Sequence, residues 1–174
     1  MPMNEERLVE LINEMKKGDL DSFNEFYELV KKPVFYNIQS YTKSYQDSED
    51  ILHDTFVKFL NNIQKIDTSS SILGYLMAIS KNLALDCLKK RSKVKNMDDE
   101  LQYMSTSDKY DVDKDILLER IRRVLKDKDY EIFVLHALSD MTFEEISKVK
   151  KRPLGTILWS YNNSIKKIRK EIAL

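Results

Sequence analysis

Hydrophobic residues recur along this chain at the 3.6-residue period of amphipathic helices, with polar residues between them. Gly18 should end a first helix, and a second should continue through Pro33 with a bend rather than a stop. The stripe of the first helix is Leu8, Leu11, Ile12 and Met15. The stripe of the second is Phe23, Phe26, Tyr27, Val30, Val34, Ile38 and Tyr41.

Two more helices are predicted before the middle of the chain. The acidic run that starts at Asp47 suits a helix start, because carboxylates satisfy free N–H groups and match the helix dipole. The polar stretch 62–71 reads as a loop, and a fourth helix should run from about Ile72 to the basic residues at Arg91. The third helix would bury Ile51, Leu52, Phe56, Phe59, Leu60 and Ile63.

The helical period fades over about 92–113 and then returns for the last 60 or so residues. There, Thr142 and Glu145 have the spacing of a capping box, which predicts the start of a short helix. Pro153 suits the first position of a longer final helix. A short helix, a tight basic connection and a longer helix have the spacing of a helix-turn-helix.

Composition supports an all-α fold. The 174 residues include only 3 Gly and 3 Pro, fewer than turn-rich β architectures usually need. The pattern predicts two helical domains, spanning 1–93 and 113–174, joined by a flexible acidic linker over 94–112. The linker could act as a plain tether or could bind something in extended form.

The charges are segregated although they cancel overall, with 29 Lys and Arg against 29 Asp and Glu. Residues 81–95 hold six basic side chains and one acidic, and 148–171 hold eight basic and one acidic. Between them, 98–115 hold seven acidic and two basic. Two basic segments flanking an acidic one allow nucleic-acid binding that the net charge of zero would hide.

Other classes of protein find little support in the sequence. Cys87 is the single cysteine and there are two histidines, so neither an internal disulfide nor a structural zinc site is expected. The first residues are acidic and amphipathic, unlike a signal peptide, and no apolar run suits a membrane span. No nucleophile–base pair or phosphate-binding glycine loop stands out. We therefore expect a cytoplasmic non-enzyme that needs no metal or cofactor and inserts in no membrane.

Three motifs, in this order and spacing, resemble the extracytoplasmic-function (ECF) sigma factors of bacterial RNA polymerase. They are DSEDILHDTFVKFL at 47–60, LGYLMAISKNLALDCLKKRSK at 73–93, and MTFEEISK with PLGT at 141–156. The second is the most specific and the third the least. The length and the two-domain split without a third domain between them also resemble that group.

The resemblance implies a promoter-specific initiation subunit whose first domain docks on core RNA polymerase and melts the minus-ten element. A polar helix face would dock on the clamp helices of the largest subunit: Asp50, His53, Asp54 and Lys58. Taken without the resemblance, that face is simply solvated. The minus-ten DNA, double-stranded or melted, would contact the loop and the next helix: Asp67, Thr68, Ser69, Ser70, Tyr75, Lys81, Asn82, Lys89, Lys90 and Arg91.

The second domain would read the minus-thirty-five element through its helix-turn-helix. The implied contacts are Thr142, Lys150, Lys151, Arg152, Gly155, Thr156, Trp159, Ser160 and Lys166. This chain departs from the family there, with Lys150-Lys151-Arg152 for Leu-Gly-Ile and Leu158-Trp159-Ser160 for Lys-Ser-Arg. Trp159 could read thymine methyl groups, face a partner, or pack in a distorted core. The resemblance also implies an anti-sigma factor and a monomer when free.

Two alternatives stay open. A helix-turn-helix regulator would dimerise and bind a palindrome without polymerase. A sigma-like interaction module would keep the fold but no longer recognise DNA bases. The apolar pair Leu158-Trp159 is compatible with this alternative.

Overall fold

A computed structural model describes residues 4–42, 44–95 and 112–172. The regular secondary structure in this part of the chain consists of α-helices and one short 3₁₀ helix at Ile63–Lys65, with no strand. The all-α prediction is therefore confirmed. Most of the predicted acidic linker lies outside the described residues. The helices are α1 (Glu5–Lys16), α2 (Asp21–Gln39), α3 (Tyr45–Asn61), α4 (Ile72–Lys95), α5 (Val112–Val124), α6 (Asp127–Ala137), α7 (Phe143–Lys150) and α8 (Leu154–Ile172).

Local signals account for several helix ends. Gly18 has a φ of +94°, a conformation that glycine adopts without strain, and it ends α1 as predicted. Helix α2 continues through Pro33, also as predicted. Helix α3 begins earlier than expected, because the Ser44 hydroxyl accepts a hydrogen bond from the Asp47 amide at 3.2 Å. Asp47 therefore lies in the first turn rather than before it.

The amino-terminal bundle, defined as α1–α4, is built around stacked aromatic rings. Phe26 of α2 and Phe59 of α3 are fully buried, and their ring centroids lie 4.9 Å apart. Leu76 of α4 and Leu11 of α1 belong to the same fully buried cluster. Each predicted apolar stripe therefore faces this centre, while the polar faces of α3 and α4 stay outside.

The carboxy-terminal bundle, defined as α5–α8, packs directly against the first. Helix α6 lies on α2, and α7 lies on α4. Side chains of α6 and α7, including Leu135 and Ile146, share one buried cluster with the core of α1–α4. A second cluster around Ile121 and Val134 joins α5, α6 and α8. The pattern of periodicity predicted two helical bundles, and it did not predict that they would share a core.

Candidate nucleic-acid interface

The predicted docking face lies on the outside of α3. Asp50, His53, Asp54 and Lys58 are all exposed. Asp50 and Lys58 each lie four residues from Asp54, and His53 lies three residues after Asp50. That spacing places them on one side of the helix. Opposite them, Thr55 is buried and donates its hydroxyl proton to the Ile51 carbonyl at 2.7 Å. Asp50 and Asp54 thus lie on the solvent-exposed face of α3, while other residues of the helix face the core.

The loop before α4 is organised by Asp67. Its carboxylate accepts hydrogen bonds from the Ser69 amide at 2.9 Å, the Ser69 hydroxyl at 2.7 Å and the Ser70 hydroxyl at 3.3 Å. These bonds, led by that of the Ser69 hydroxyl, hold the pKa of Asp67 below its usual value. Asp67 is thus a partner of the two serines within a preformed turn. Thr68 lies half-buried in the same turn.

Helix α1 fixes both ends of this loop. Lys16 donates to the Ile66 carbonyl at 2.7 Å, just before the turn. The Glu5 carboxylate accepts from the Ile72 amide at 2.5 Å, at the start of α4. The Ser71 hydroxyl accepts from the Gly74 amide at 3.1 Å. These hydrogen bonds therefore fix the position of the loop relative to α1 and α4.

Helix α4 carries a row of exposed polar and basic side chains. Lys81, Asn82, Lys89 and Lys90 are exposed, as the sequence pattern suggested. Tyr75 is 37% exposed at the start of the helix. The remaining predicted contact, Arg91, forms an ion pair 2.5 Å long with Asp47 of α3 and so also ties the two helices together.

The helix-turn-helix of the second bundle is held by local bonds. The Thr142 hydroxyl accepts from the Glu145 amide at 3.2 Å, and the Glu145 carboxylate accepts from the Thr142 amide at 2.7 Å, which confirms the capping box. Lys151 has a φ of +51° and ends α7 in the left-handed conformation. The Ser147 hydroxyl then donates to the Arg152 carbonyl at 2.6 Å and closes the turn.

The predicted minus-thirty-five contacts divide into exposed and buried groups. Trp159 is 67% exposed, so it is not packed in a core. Ser160 is buried and donates to the Asp129 carboxylate at 2.5 Å, which attaches α8 to α6. Lys150 is turned toward the amino-terminal bundle and is half-buried there. The exposed or half-exposed set is Thr142, Lys151, Arg152, Gly155, Thr156, Trp159 and Lys166.

Sequence reasoning missed a polar cluster where α2 meets α6 and α7. Lys150 donates to Glu131 at 2.6 Å and to the Asn37 side-chain carbonyl at 3.1 Å. Tyr41 donates its hydroxyl proton to the same Glu131 oxygen. Burial lowers the pKa of Lys150 by more than the attraction of Glu131 raises it. The only sequence signal was Asn37, a polar residue inside the apolar stripe of α2.

Arg122 was also missed. Its guanidinium donates to the carbonyls of Ser40 at 2.8 Å and Gln39 at 3.2 Å, and it lies 5.2 Å from the Tyr130 ring centroid. The last carbonyls of a helix carry partial negative charge and lack partners within the helix. Helix α2 has no basic residue in its last turn, so α5 supplies one from the other bundle.

The described residues also bear on metal binding and on membrane insertion. Within them, no group of three His, Cys, Asp or Glu side chains could hold a metal ion. No helix in the described ranges is long and apolar enough to cross a membrane.

The comparisons with known proteins agree with this geometry. Residues 26–94, from α2 to α4, match the family Sigma-70 region 2. The ECF RNA polymerase sigma factor SigW of Bacillus subtilis is 22% identical over 92% of this chain and 94% of its own length. The RNA polymerase sigma factor SigV of the same organism is 27% identical over 79% of this chain and 84% of its own length.

Two solved structures share the fold over nearly the whole chain. The sigma factor RpoE of Bartonella quintana, in complex with the anti-sigma factor NepR, has a TM-score of 0.65 at 16% identity and covers 89% of this chain and 99% of its own. CnrH, in complex with the cytosolic domain of CnrY, has a TM-score of 0.68 at 15% identity and covers 96% of this chain and 97% of its own. Helices α2–α4 therefore carry a sigma-70 region 2, and over most of its length the chain is similar to RNA polymerase sigma factors, among them SigW of the ECF group.

Proposed function

We propose that the amino-terminal bundle, about 1–93, docks on core RNA polymerase and recognises the minus-ten element, and that 113–174 recognise the minus-thirty-five element. The protein supplies promoter specificity in the cytoplasm, and the polymerase supplies catalysis. The observation that carries this proposal is the match to sigma-70 region 2 over 26–94, because those helices display both the α3 face and the α4 row.

Each surface then has a physical task. The acids of α3 seek a basic partner surface on the polymerase, which favours orientation and rapid association. The exposed lysines of α4 hold phosphates, which makes the affinity salt-dependent. The turn around Asp67 presents Thr68, Ser69 and Ser70 to a base that has left the stack. In the second bundle, Lys151 and Arg152 hold the backbone while Thr156 and Trp159 approach base edges.

An anti-sigma factor is a further proposed partner. Two proteins that share the fold were solved in complexes, one with the anti-sigma factor NepR and the other with the cytosolic domain of CnrY. The exposed apolar side chains of α8, Leu158 and Trp159, offer such a partner a surface that DNA binding alone does not require.

Run-off transcription tests the function. Core polymerase is given genomic fragments with and without the protein, and start sites are mapped. We expect new starts that share two upstream elements at a fixed separation. Silence with co-purification of core polymerase would instead support the interaction-module alternative. Silence without polymerase binding would contradict the proposal and favour a regulator that acts alone.

A charge reversal tests the docking face. Asp54→Lys should abolish co-purification with core polymerase and the new starts, because it places a cation against a basic partner surface. Glu28→Lys is the matched control, since Glu28 is an exposed acid on α2 outside that face. Equal effects of the two substitutions would show that α3 has no special role.

A further inference from the structure

The loop that leads into α4, residues 66–71, has two buried ends and an exposed tip. Ile66 is buried where the loop begins, and Ile72, the first residue of α4, is fully buried where it ends. Ser69 and Ser70 at the tip are exposed. The ends are therefore part of the protein interior, while the tip is free to meet a partner.

The first and last residues of α1 hold these two ends. Lys16 donates to the Ile66 carbonyl at 2.7 Å, and the Gln64 side-chain amide donates back to the Lys16 carbonyl at 2.9 Å. The Glu5 carboxylate accepts from the Ile72 amide at 2.5 Å. Helix α1 has 12 residues, so at about 1.5 Å per residue it keeps the two holding residues roughly 17 Å apart along its axis. It acts as a rigid spacer between the loop ends.

Core packing fixes the position of α1 itself. Leu8, Leu11 and Ile12 are fully buried in the cluster that α1 shares with α2–α4. Protein interiors are close-packed, so α1 cannot slide or rotate without disturbing these contacts. The loop ends are therefore held by a helix that is fixed by the core.

Both contacts join a charged side chain to a backbone group of matching polarity. The Glu5 carboxylate meets the first amide of α4, where the helix dipole is positive, and the Lys16 ammonium meets a carbonyl oxygen. Hydrogen bonds with one ionised partner are stronger than neutral ones. Glu5 and Lys16 are also half-buried, which reduces screening by solvent.

The position of the loop decides what its tip can recognise. Ser69 and Ser70 donate their hydroxyl protons to Asp67, so the direction in which their oxygens face is set by the turn. These bonds set the shape of the turn, whereas α1 sets where the turn lies. Recognition of a ligand by hydrogen bonds requires placement to within about 0.5 Å. A small shift of the loop ends would therefore weaken recognition at the tip.

We propose that α1 is a positioning element for minus-ten recognition, in which Glu5 and Lys16 hold the loop so that residues 68–70 meet an unstacked base at a fixed place. Both are positioning residues, because they act through the loop rather than on the DNA. This inference rests on the proposed function of the amino-terminal bundle. It adds that base selectivity depends on a helix that precedes the match to sigma-70 region 2 at 26–94.

Oligonucleotide binding by the holoenzyme tests the proposal. The probe is a fluorescent single strand with the non-template minus-ten sequence of a promoter mapped by run-off transcription, and each position is replaced in turn by the other three bases. A single strand separates base recognition from melting of the duplex. Lys16→Met and Glu5→Ala should each lower the preference for the natural base at one position by roughly 5-fold and leave the other positions unchanged.

The neighbouring residues supply matched controls. Lys17→Met and Glu6→Ala remove the same charges from exposed side chains and should keep wild-type selectivity. Lys16→Arg retains a charged donor and should restore most of the selectivity lost in Lys16→Met. All five variants should co-purify with core polymerase like the wild type, because the α3 face is unaltered.

Wild-type selectivity at every position in both Lys16→Met and Glu5→Ala would overturn the proposal, even if either variant were less stable. A uniform weakening at all positions would also refute it, since loss of folded protein lowers every affinity alike. The proposed function fails in a different way: the wild-type holoenzyme itself would then show no base preference on the single strand. The wild-type measurement thus separates failure of the proposed function from failure of the positioning role.

Discussion

At the scale of single residues, the most informative side chains are those whose solvent exposure differs from what their polarity predicts. Trp159 is large and apolar and yet 67% exposed, and Ser160 beside it is polar and buried against Asp129. An exposed indole costs little stability but offers surface to a partner. Lys150 shows the reverse: its burial lowers its pKa, which means that the interior tolerates its charge only because Glu131 is adjacent.

Trp159→Ala should lower promoter use about 5-fold, which corresponds to ~1 kcal/mol of lost contact with DNA. The free energy of unfolding should change by less than ~0.5 kcal/mol, because the ring is not packed. Run-off transcription and urea denaturation measure the two effects. Leu20→Ala, at a side chain that is 79% exposed and precedes α2, serves as the control and should alter neither. Higher promoter use by Trp159→Arg would indicate that this helix has lost DNA reading.

At the scale of helices, the helix-turn-helix depends on bonds made within a few residues. Helix α7 is short, with eight residues, so its capping box makes a large share of its local stability. The Ser147 hydroxyl and the left-handed Lys151 then set the direction in which the chain enters α8. The base-reading surface is thus oriented by the turn as much as by the core beneath it.

Thr142→Ala should destabilise the protein by about 1 kcal/mol, because the Glu145 amide loses its acceptor. Urea denaturation followed by circular dichroism measures this loss. The matched control is Thr156→Ala, at an exposed threonine in the first turn of α8, which should change stability by less than ~0.5 kcal/mol. If both substitutions cost the same, the cap contributes nothing beyond helix propensity.

At the scale of the whole molecule, two ion pairs lie where the bundles meet, and burial decides which one matters. Lys32–Asp140 connects the two bundles, whereas Lys150–Glu131 joins α7 to α6 and contacts the other bundle through hydrogen bonds with Asn37 and Tyr41. The pair of Lys32 and Asp140 is open to water, with side chains 52% and 69% exposed. The pair of Lys150 and Glu131 is 13% and 14% exposed. Water screens the first pair strongly, whereas removing one member of the second leaves a charge stranded in the interface.

Lys150→Ala should therefore destabilise the packed full chain by about 3 kcal/mol, because it leaves the buried Glu131 carboxylate without its cation. Lys32→Ala should cost less than ~1 kcal/mol. Thermal unfolding of the full chain, with scattering to detect separation, distinguishes the two variants. Equal losses of stability in Lys150→Ala and Lys32→Ala would mean that the buried polar cluster does not hold the two bundles together.

The amino-acid sequence by itself determined the helical class, the helix end at Gly18, the capping box at Thr142 and the motifs that resemble those of ECF sigma factors. These features depend on bonds and apolar contacts between residues a few positions apart, so periodicity and residue type reveal them. The Ser44 cap of α3 was missed, since an acidic run and a serine cap are competing signals for a helix start within the same turn.

Tertiary structure alone decided which predicted contacts face solvent and how the bundles meet. Lys150 and Asn37 are 113 positions apart in the chain, and no local pattern links them. Likewise, Arg122 completes the end of α2 through backbone carbonyls, which any sequence at 39–40 would offer. Such contacts arise from the relative placement of whole helices, and that placement depends on side chains spread over the entire core.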